Sequence, residues 1–312
     1  MIGPKVTNLP QSVHQRLLNK AKREGRRFND VLQNYAAERF LKRLAASGYA
    51  DRFVLKGALM LRVWGVPEPR PTMDIDLLGR MDPSSEAVAR VLRECLQTEV
   101  EDDGLRFDGE SLEVARITKD VDFPGIRARF LAYLGRACLT LQVDIGFGDA
   151  VEPDPRWVDY PVLLDGEPIR LLAYPPEAAI AEKYQAMVDL GTLNSRMKDF
   201  YDIWVLARVV AFNGGTLSRA IGATFARRGA AVPSSPPPAL TAEFGHDATK
   251  QAQWAAFARR SQLGDAAGSL ETVVGFLVEF LMPPSTSAAT GQPFRASWPP
   301  GGPWQMDPGE RE

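Results

Sequence analysis

Histidine and cysteine are scarce in this chain of 312 residues, with only two of each. Cys95 and Cys138 stand far apart, without the close spacing of a zinc site and with too few thiols for a disulfide framework. His14 and His246 are equally remote from each other and read as surface residues, which argues against a histidine-based triad or a zinc hydrolase. No apolar run follows the first charges, so no secretory signal is expected. No segment approaches the length of a membrane span. The expected location is the cytoplasm, without a membrane partner. A charge excess is missing as well: 37 basic residues face 39 acidic ones, for a formal net charge of -2. The chain as a whole is therefore not a polyelectrolyte.

What is present is the balance of a globular protein, 45% apolar and 24% charged, long enough for one large domain or two ordinary ones. Charge is nonetheless uneven. Residues 1–50 carry ten lysines and arginines against three acids. Apolar residues at helical spacing predict two helices there, one opening at Asn8 with Pro10 in its first turn and one running from Phe28 to Gly48. The basic residues gather at Lys20–Arg27, between the helices, and again at Arg39–Arg43. Such an end suits a polyanion or an acidic partner; the plain alternative is a solvated helix face.

The densest chemistry lies in Arg70–Gly79, where Asp74 and Asp76 flank Ile75. In a strand both carboxylates point one way and Ile75 points into the core. Two acids on one face repel unless a cation lies between them, and a hard divalent ion with oxygen ligands, Mg²⁺ above all, meets that need. A lone Asp-x-Asp is more often a strand end with two solvated acids. Upstream, the strand-like run Phe53–Leu55 meets Gly57, and a two-turn apolar helix is expected after it. A glycine there lets backbone approach a ligand, and free N–H groups of the helix start suit phosphate, although most such glycines only make a turn.

Further along, Pro83–Leu96 predicts a helix capped by Ser84 or Ser85. Residues 105–107 and 112–117 read as a hairpin across Asp108-Gly109. Asp120 and Asp122 repeat the Asp-x-Asp spacing just before Phe123, Pro124 and Gly125, and read as a loop. Two more strands are expected at Ile126–Leu134 and Cys138–Phe147. In the second, Leu139, Leu141, Val143, Ile145 and Phe147 take one face, and Thr140, Gln142, Asp144 and Gly146 the other. Asp144 is the candidate third carboxylate, provided its strand neighbours that of Asp74 and Asp76. A helix is expected from Pro175 and Pro176. On it Lys183 shares a stripe with Ile180, Tyr184 and Met187, so it either snorkels outward or reaches a buried anion. Asp199 and Asp202 are i, i+3 neighbours on the next helix. Helices continue to Met282, broken at Val232–Pro238, and the proline- and glycine-rich residues 283–312 read as a disordered tail.

Taken together, Lys56-Gly57-Ala58, Arg70-x-Thr72-x-Asp74-Ile75-Asp76-Leu77, Val143-Asp144-Ile145-Gly146-Phe147-Gly148-Asp149, Ala181-Glu182-Lys183 and Arg196-Met197-Lys198-Asp199-Phe200-Tyr201-Asp202 resemble the AbiEii/AbiGii nucleotidyltransferase toxins of the DNA polymerase beta-like superfamily. The resemblance spans roughly residues 50–210. It implies an α+β fold, a nucleotidyltransferase mixed sheet packed by helices. On this reading 1–50 is a basic helical segment, 51–172 the catalytic core, 173–282 a helical C-terminal lobe and 283–312 the tail. It further implies that Asp74, Asp76 and Asp144 bind Mg²⁺ or Mn²⁺. Lys56, Gly57, Ala58, Thr72 and Lys183 would contact a nucleoside triphosphate, and Asp199 or Asp202 would be the lobe's essential acid. Ala58 departs from the superfamily's usual serine. The implied activity is nucleotide transfer to an RNA acceptor, tRNA above all, by the toxin of a type IV toxin–antitoxin pair. Arg23, Arg26 and Arg27 would meet the RNA, and a nearby gene would encode the antitoxin. The alternatives are transfer to a small molecule of the aminoglycoside kind, or an inactive nucleotide-binding module.

Overall fold

The computed structural model describes residues 8–67, 70–117 and 125–307. Asp120 and Asp122 lie outside the described residues. In chain order the elements are α1 (Leu9–Arg23), α2 (Phe28–Ala46), β1 (Phe53–Lys56), α3 (Met60–Val63), β2 (Asp74–Gly79), α4 (Ser85–Gln97), β3 (Leu105–Ile117), β4 (Gly125–Leu134), β5 (Ala137–Phe147), β6 (Arg156–Tyr160), β7 (Ile169–Ala173), α5 (Pro176–Leu190), α6 (Met197–Val209), β8 (Phe212–Asn213), α7 (Gly214–Arg227), α8 (Ala242–His246), α9 (Ala248–Arg260), α10 (Leu270–Thr290), β9 (Ala296–Trp298) and β10 (Gln305–Met306). They divide into two compact units. The first holds residues 8–59, 71–148 and 157–173; the second holds 60–70, 149–156 and 174–307. The stretches 60–70 and 149–156 thus belong with the second unit, a division that composition does not reveal.

The first unit is built on a seven-stranded mixed sheet of order β3-β4-β5-β2-β1-β7-β6. β3, β4 and β5 form an antiparallel meander. β2 then joins β5 in parallel and β1 antiparallel, and β1 meets β7 in parallel. The alternation of β5 is realised in burial: Leu141, Val143, Ile145 and Phe147 are buried, while Gln142 and Asp144 are half-buried. Their apolar side faces helices. Phe40 of α2 contacts Phe107 of β3 and Phe130 of β4, and α1 and α4 pack beside α2. Asn8 caps α1 by accepting from the Gln11 amide at 3.2 Å, and Ser84 caps α4 in the same manner.

Two expectations change here. Asp108-Gly109 does not turn a hairpin. β3 is a single strand along β4, with a register shift between Asp108 and Glu113, because β4 offers partners on both sides of the irregularity. Nor do Arg39 and Arg43 present a basic surface. α2 is buried nearly all round, so its charges are neutralised locally: Arg39 pairs with Glu38, and Arg43 pairs with Asp103 at 2.8 Å and donates to the Leu105 carbonyl at 3.1 Å.

The second unit is a helical assembly in which α5, α6, α7 and α10 pack on one another. Its C-terminal part corrects the expectation of a tail for the described residues beyond Met282. α10 continues through Pro283 and Pro284 to Thr290, and β9 pairs with β8 and β10. A helical proline cannot donate to the carbonyl four residues back. For Pro284 that carbonyl belongs to Phe280, and the Trp304 indole N–H takes it at 3.0 Å. Trp298 is buried among Phe276, Phe280 and Trp304, and its indole N–H donates to the Ala207 carbonyl at 2.7 Å. Aromatic burial of this kind outweighs the proline and glycine content that reads as disorder.

Candidate active site

The acids of the first unit come together through strand register. Asp74 and Asp76 share one face of β2, and the intervening Ile75 is buried. In the parallel β2–β5 pair, Asp74 stands opposite Gln142 and Asp76 opposite Asp144. β1 places Lys56 opposite Asp76. β4 places Arg127 opposite Asp144 and Arg129 opposite Gln142. Paired residues project to the same side of a sheet, so four adjacent strands build one polar face opposite the helix-covered one.

Hydrogen bonds knit that face. Gln142 Nε2 donates to Asp74 Oδ1 at 2.8 Å and to Asp144 Oδ2 at 3.4 Å. Arg129 donates to Gln142 Oε1 at 3.0 Å. Arg127 grips Asp144 with two bonds, Nε to Oδ1 at 2.8 Å and Nη2 to Oδ2 at 2.7 Å. The hydroxyl of Thr72 bridges the backbone N–H and C=O of Asp74, at 3.4 and 3.3 Å. It thus steadies the entry to β2.

Gly57 closes one side. Its φ of 73° is in the left-handed region, and a Cβ there would overlap the carboxylate of Asp76. The backbone then makes one tight 3₁₀ turn, Gly57–Leu59, and the single-turn α3, not the two-turn helix expected. Ala58 is buried.

The second unit holds the other predicted residues in one buried ionic cluster. The α5 stripe is present, with Ile180, Tyr184 and Met187 fully buried. Lys183, lying within it, does not snorkel: its Nζ stands 2.8 Å from Asp202 Oδ2 and 3.1 Å from Asp199 Oδ1. Arg70 donates twice to Asp202, at 2.7 and 2.8 Å, and Arg196 donates to Asp199 at 2.5 Å. Burial alone would push the Lys183 pKa down, but Asp202 and Asp199 outweigh it and raise it. Burial would likewise raise both aspartates. Lys183 and Arg70 instead hold Asp202 down at about 2, and Lys183 and Arg196 hold Asp199 below its ordinary value. The ammonium assigned to phosphate from the sequence is thus engaged by two carboxylates in this structure.

Residues 39–275 are matched by the family described as the nucleotidyl transferase AbiEii toxin of type IV toxin–antitoxin systems. The chain belongs to the AbiEii family. It is therefore a nucleotidyltransferase of toxin–antitoxin type, and an antitoxin partner follows from that membership. No curated protein sequence matches it. Among solved structures it is similar to JHP933 from Helicobacter pylori, at 13% identity and a TM-score of 0.44, covering 92% of this chain and 94% of that one. A candidate nucleotidyltransferase from H. pylori matches at 15% identity and a TM-score of 0.44, covering 92% and 97%. No described helix is long and apolar enough to cross a membrane.

Within this AbiEii chain, Arg127, Arg129, Gln142, Arg70 and Arg196 escaped the sequence reading. Arg127 and Arg129 had a visible signal, since they alternate with the buried Ala128 and Phe130 on β4. A divalent metal is implied by the resemblance, and the donor chemistry of Asp74 and Asp76 fits one. Hard carboxylate oxygens share a face, and Mg²⁺ is commonly held by one or two carboxylates completed by water and phosphate. Among the described residues no group of three or more His, Cys, Asp or Glu is set to hold a metal. Asp144, the expected third ligand, has both oxygens on Arg127.

The close approach of Gly57 to Asp76 makes a prediction. Gly57→Ala should cost about 1–2 kcal/mol of stability from its backbone conformation. By displacing the Asp76 carboxylate it should also lower nucleotide transfer at least about tenfold. Urea unfolding and single-turnover transfer rates check the two parts, and unchanged transfer would show that the contact does not position Asp76.

Proposed function

We propose that this chain transfers a nucleotide from a nucleoside triphosphate to an RNA acceptor, tRNA above all, with the help of Mg²⁺ or Mn²⁺, in the cytoplasm. The observation that carries the reading is the register of β2 on β5, which sets Asp76 beside Asp144 with Asp74 on the same half-exposed face. Phosphoryl-type transfer depends on positioning and charge neutralisation more than on a special nucleophile. A face of acids with no histidine or cysteine suits that requirement.

Asp74 and Asp76 would hold the metal, which when bound supplies neutralisation of triphosphate charge. Gly57 keeps backbone close to Asp76 and excludes a side chain that would fill the site. Thr72 holds Asp74 at the start of its strand. In the second unit, the Lys183–Asp199–Asp202 cluster is proposed as the lobe's essential acids with their resident lysine.

For the acceptor, support comes from the α1–α2 junction. Arg23 and Arg27 are exposed there, while Arg26 pairs with Glu24 at 3.3 Å. Contacts of this kind with phosphates bring affinity and salt dependence but little sequence choice.

The deciding experiment incubates the purified chain with each α-labelled nucleoside triphosphate, Mg²⁺ and total RNA. Label is expected on RNA of tRNA size, lost with EDTA. Neutralising Arg23, Arg26 and Arg27 together should reduce labelling and flatten its salt dependence. Label on a small molecule alone would move the acceptor to that class. Absence of label with all four nucleotides would overturn the transfer reading for these conditions.

A further inference from the structure

Arg127 has no assigned part in the transfer reading, yet it makes a strong contact on the acid-bearing face. One planar guanidinium takes both oxygens of Asp144, at 2.8 and 2.7 Å. This bidentate fit is how an arginine stands in for a bound cation. The pairing is built into the sheet, because the antiparallel register of β4 and β5 sets Arg127 opposite Asp144. Gln142 backs it, since its amide nitrogen reaches both Asp74 and Asp144 while Arg129 holds its carbonyl oxygen. The bond to Asp144 is the largest influence raising the Arg127 pKa, so the guanidinium keeps its charge at any working pH. The pair is half-open to solvent, with 35% of the Arg127 side chain exposed, so the contact can break without unpacking the core.

We propose that Arg127 is the resident counter-ion of Asp144, and that a divalent cation can recruit this third acid only by displacing the guanidinium. The inference rests on the metal-dependent reading above and deepens it. Asp74 and Asp76 are the primary ligands, and Arg127 sets how tightly the cation is held. Arg127 is thus a positioning residue, acting through Asp144.

The test uses Mn²⁺ alone, without nucleotide or RNA, titrated into the full chain and followed by the EPR signal of the free ion. Arg127→Met should bind Mn²⁺ about fivefold more tightly than the wild type, the scale of a half-exposed ion pair. Asp144→Asn added to it should cancel the gain. Equal or weaker binding by Arg127→Met would overturn the proposal. Should that variant fail to fold by circular dichroism, Asp144→Asn alone decides. Its Mn²⁺ affinity should stay close to the wild type, whereas Asp76→Asn loses binding; an equal loss in both would make Asp144 a free ligand and sink the idea. Binding of Mn²⁺ by no form at all would sink the metal requirement together with this inference. Intact binding with no effect of Arg127 would sink the inference alone.

Discussion

Asp76→Ala is expected to remove nucleotide transfer, by at least about 10²–10³-fold, the scale of losing one preorganised electrostatic group. Asp76 is the acid with the most invested around it. It stands opposite both Lys56 and Asp144 in the sheet, and the Gly57 backbone is shaped to its carboxylate. The fold should hardly notice. Asp76 is half-buried on the open face, and removing one of three neighbouring acids relieves like-charge repulsion. The urea midpoint should therefore move by no more than about 0.5 kcal/mol in equivalent stability. Near-wild-type incorporation of labelled nucleotide by a well-folded variant would remove Asp76 from the mechanism.

Asp202→Ala should behave in the opposite manner, with a large loss of stability. Its carboxylate takes two bonds from Arg70 and one from Lys183 inside the second unit. Deleting it leaves two cations beside Asp199 alone. Breaking a buried ion pair from one side costs about 3–5 kcal/mol, because the remaining charge stays desolvated. Five of the six tryptophans, all but Trp157, belong to the second unit, so urea unfolding followed by tryptophan fluorescence reads the effect where it occurs. The pH dependence has a defined sign. The folded pKa of Asp202 is lowered to about 2 from an ordinary value of 3.8. Its contribution is complete above the ordinary value and is lost as pH falls through about 2. The wild type should therefore lose this contribution between about pH 4 and 2, and Asp202→Ala should show less loss over that range. Equal stability of variant and wild type at pH 7 would show that the cluster is not structural.

How much of this was legible in the chain depends on the range of the interaction. The alternation of β5 and the placing of Asp74 and Asp76 on one face follow from the two-residue period of a strand. The condition that made Asp144 a candidate, neighbouring strands, is met by the β2–β5 register. Lys183 was visible as a charge inside an apolar stripe, with snorkelling and a buried anion equally open. Asp199 and Asp202 are the buried anions. By contrast, Arg127 and Arg129 look like ordinary polar positions on a half-exposed strand until β4 is laid beside β5. Arg39 and Arg43 look like surface charge until α2 is seen buried on nearly every side.

The sequence by itself determined the face on which each strand residue lies, the helix starts at Asn8 and Ser84, and the family that its ordered set of short motifs resembles. Those features depend on neighbours within a few residues, and local geometry repeats with a known period. Only the tertiary structure decided which acids share a face, which cations neutralise them, and that residues 283–307 are not a tail. Each of those outcomes needs groups far apart in the chain, such as Arg70 with Asp202, Arg43 with Asp103 and Trp304 with Phe280. No local period encodes such pairs. They arise because a buried charge or an orphaned carbonyl must find a partner wherever folding brings one.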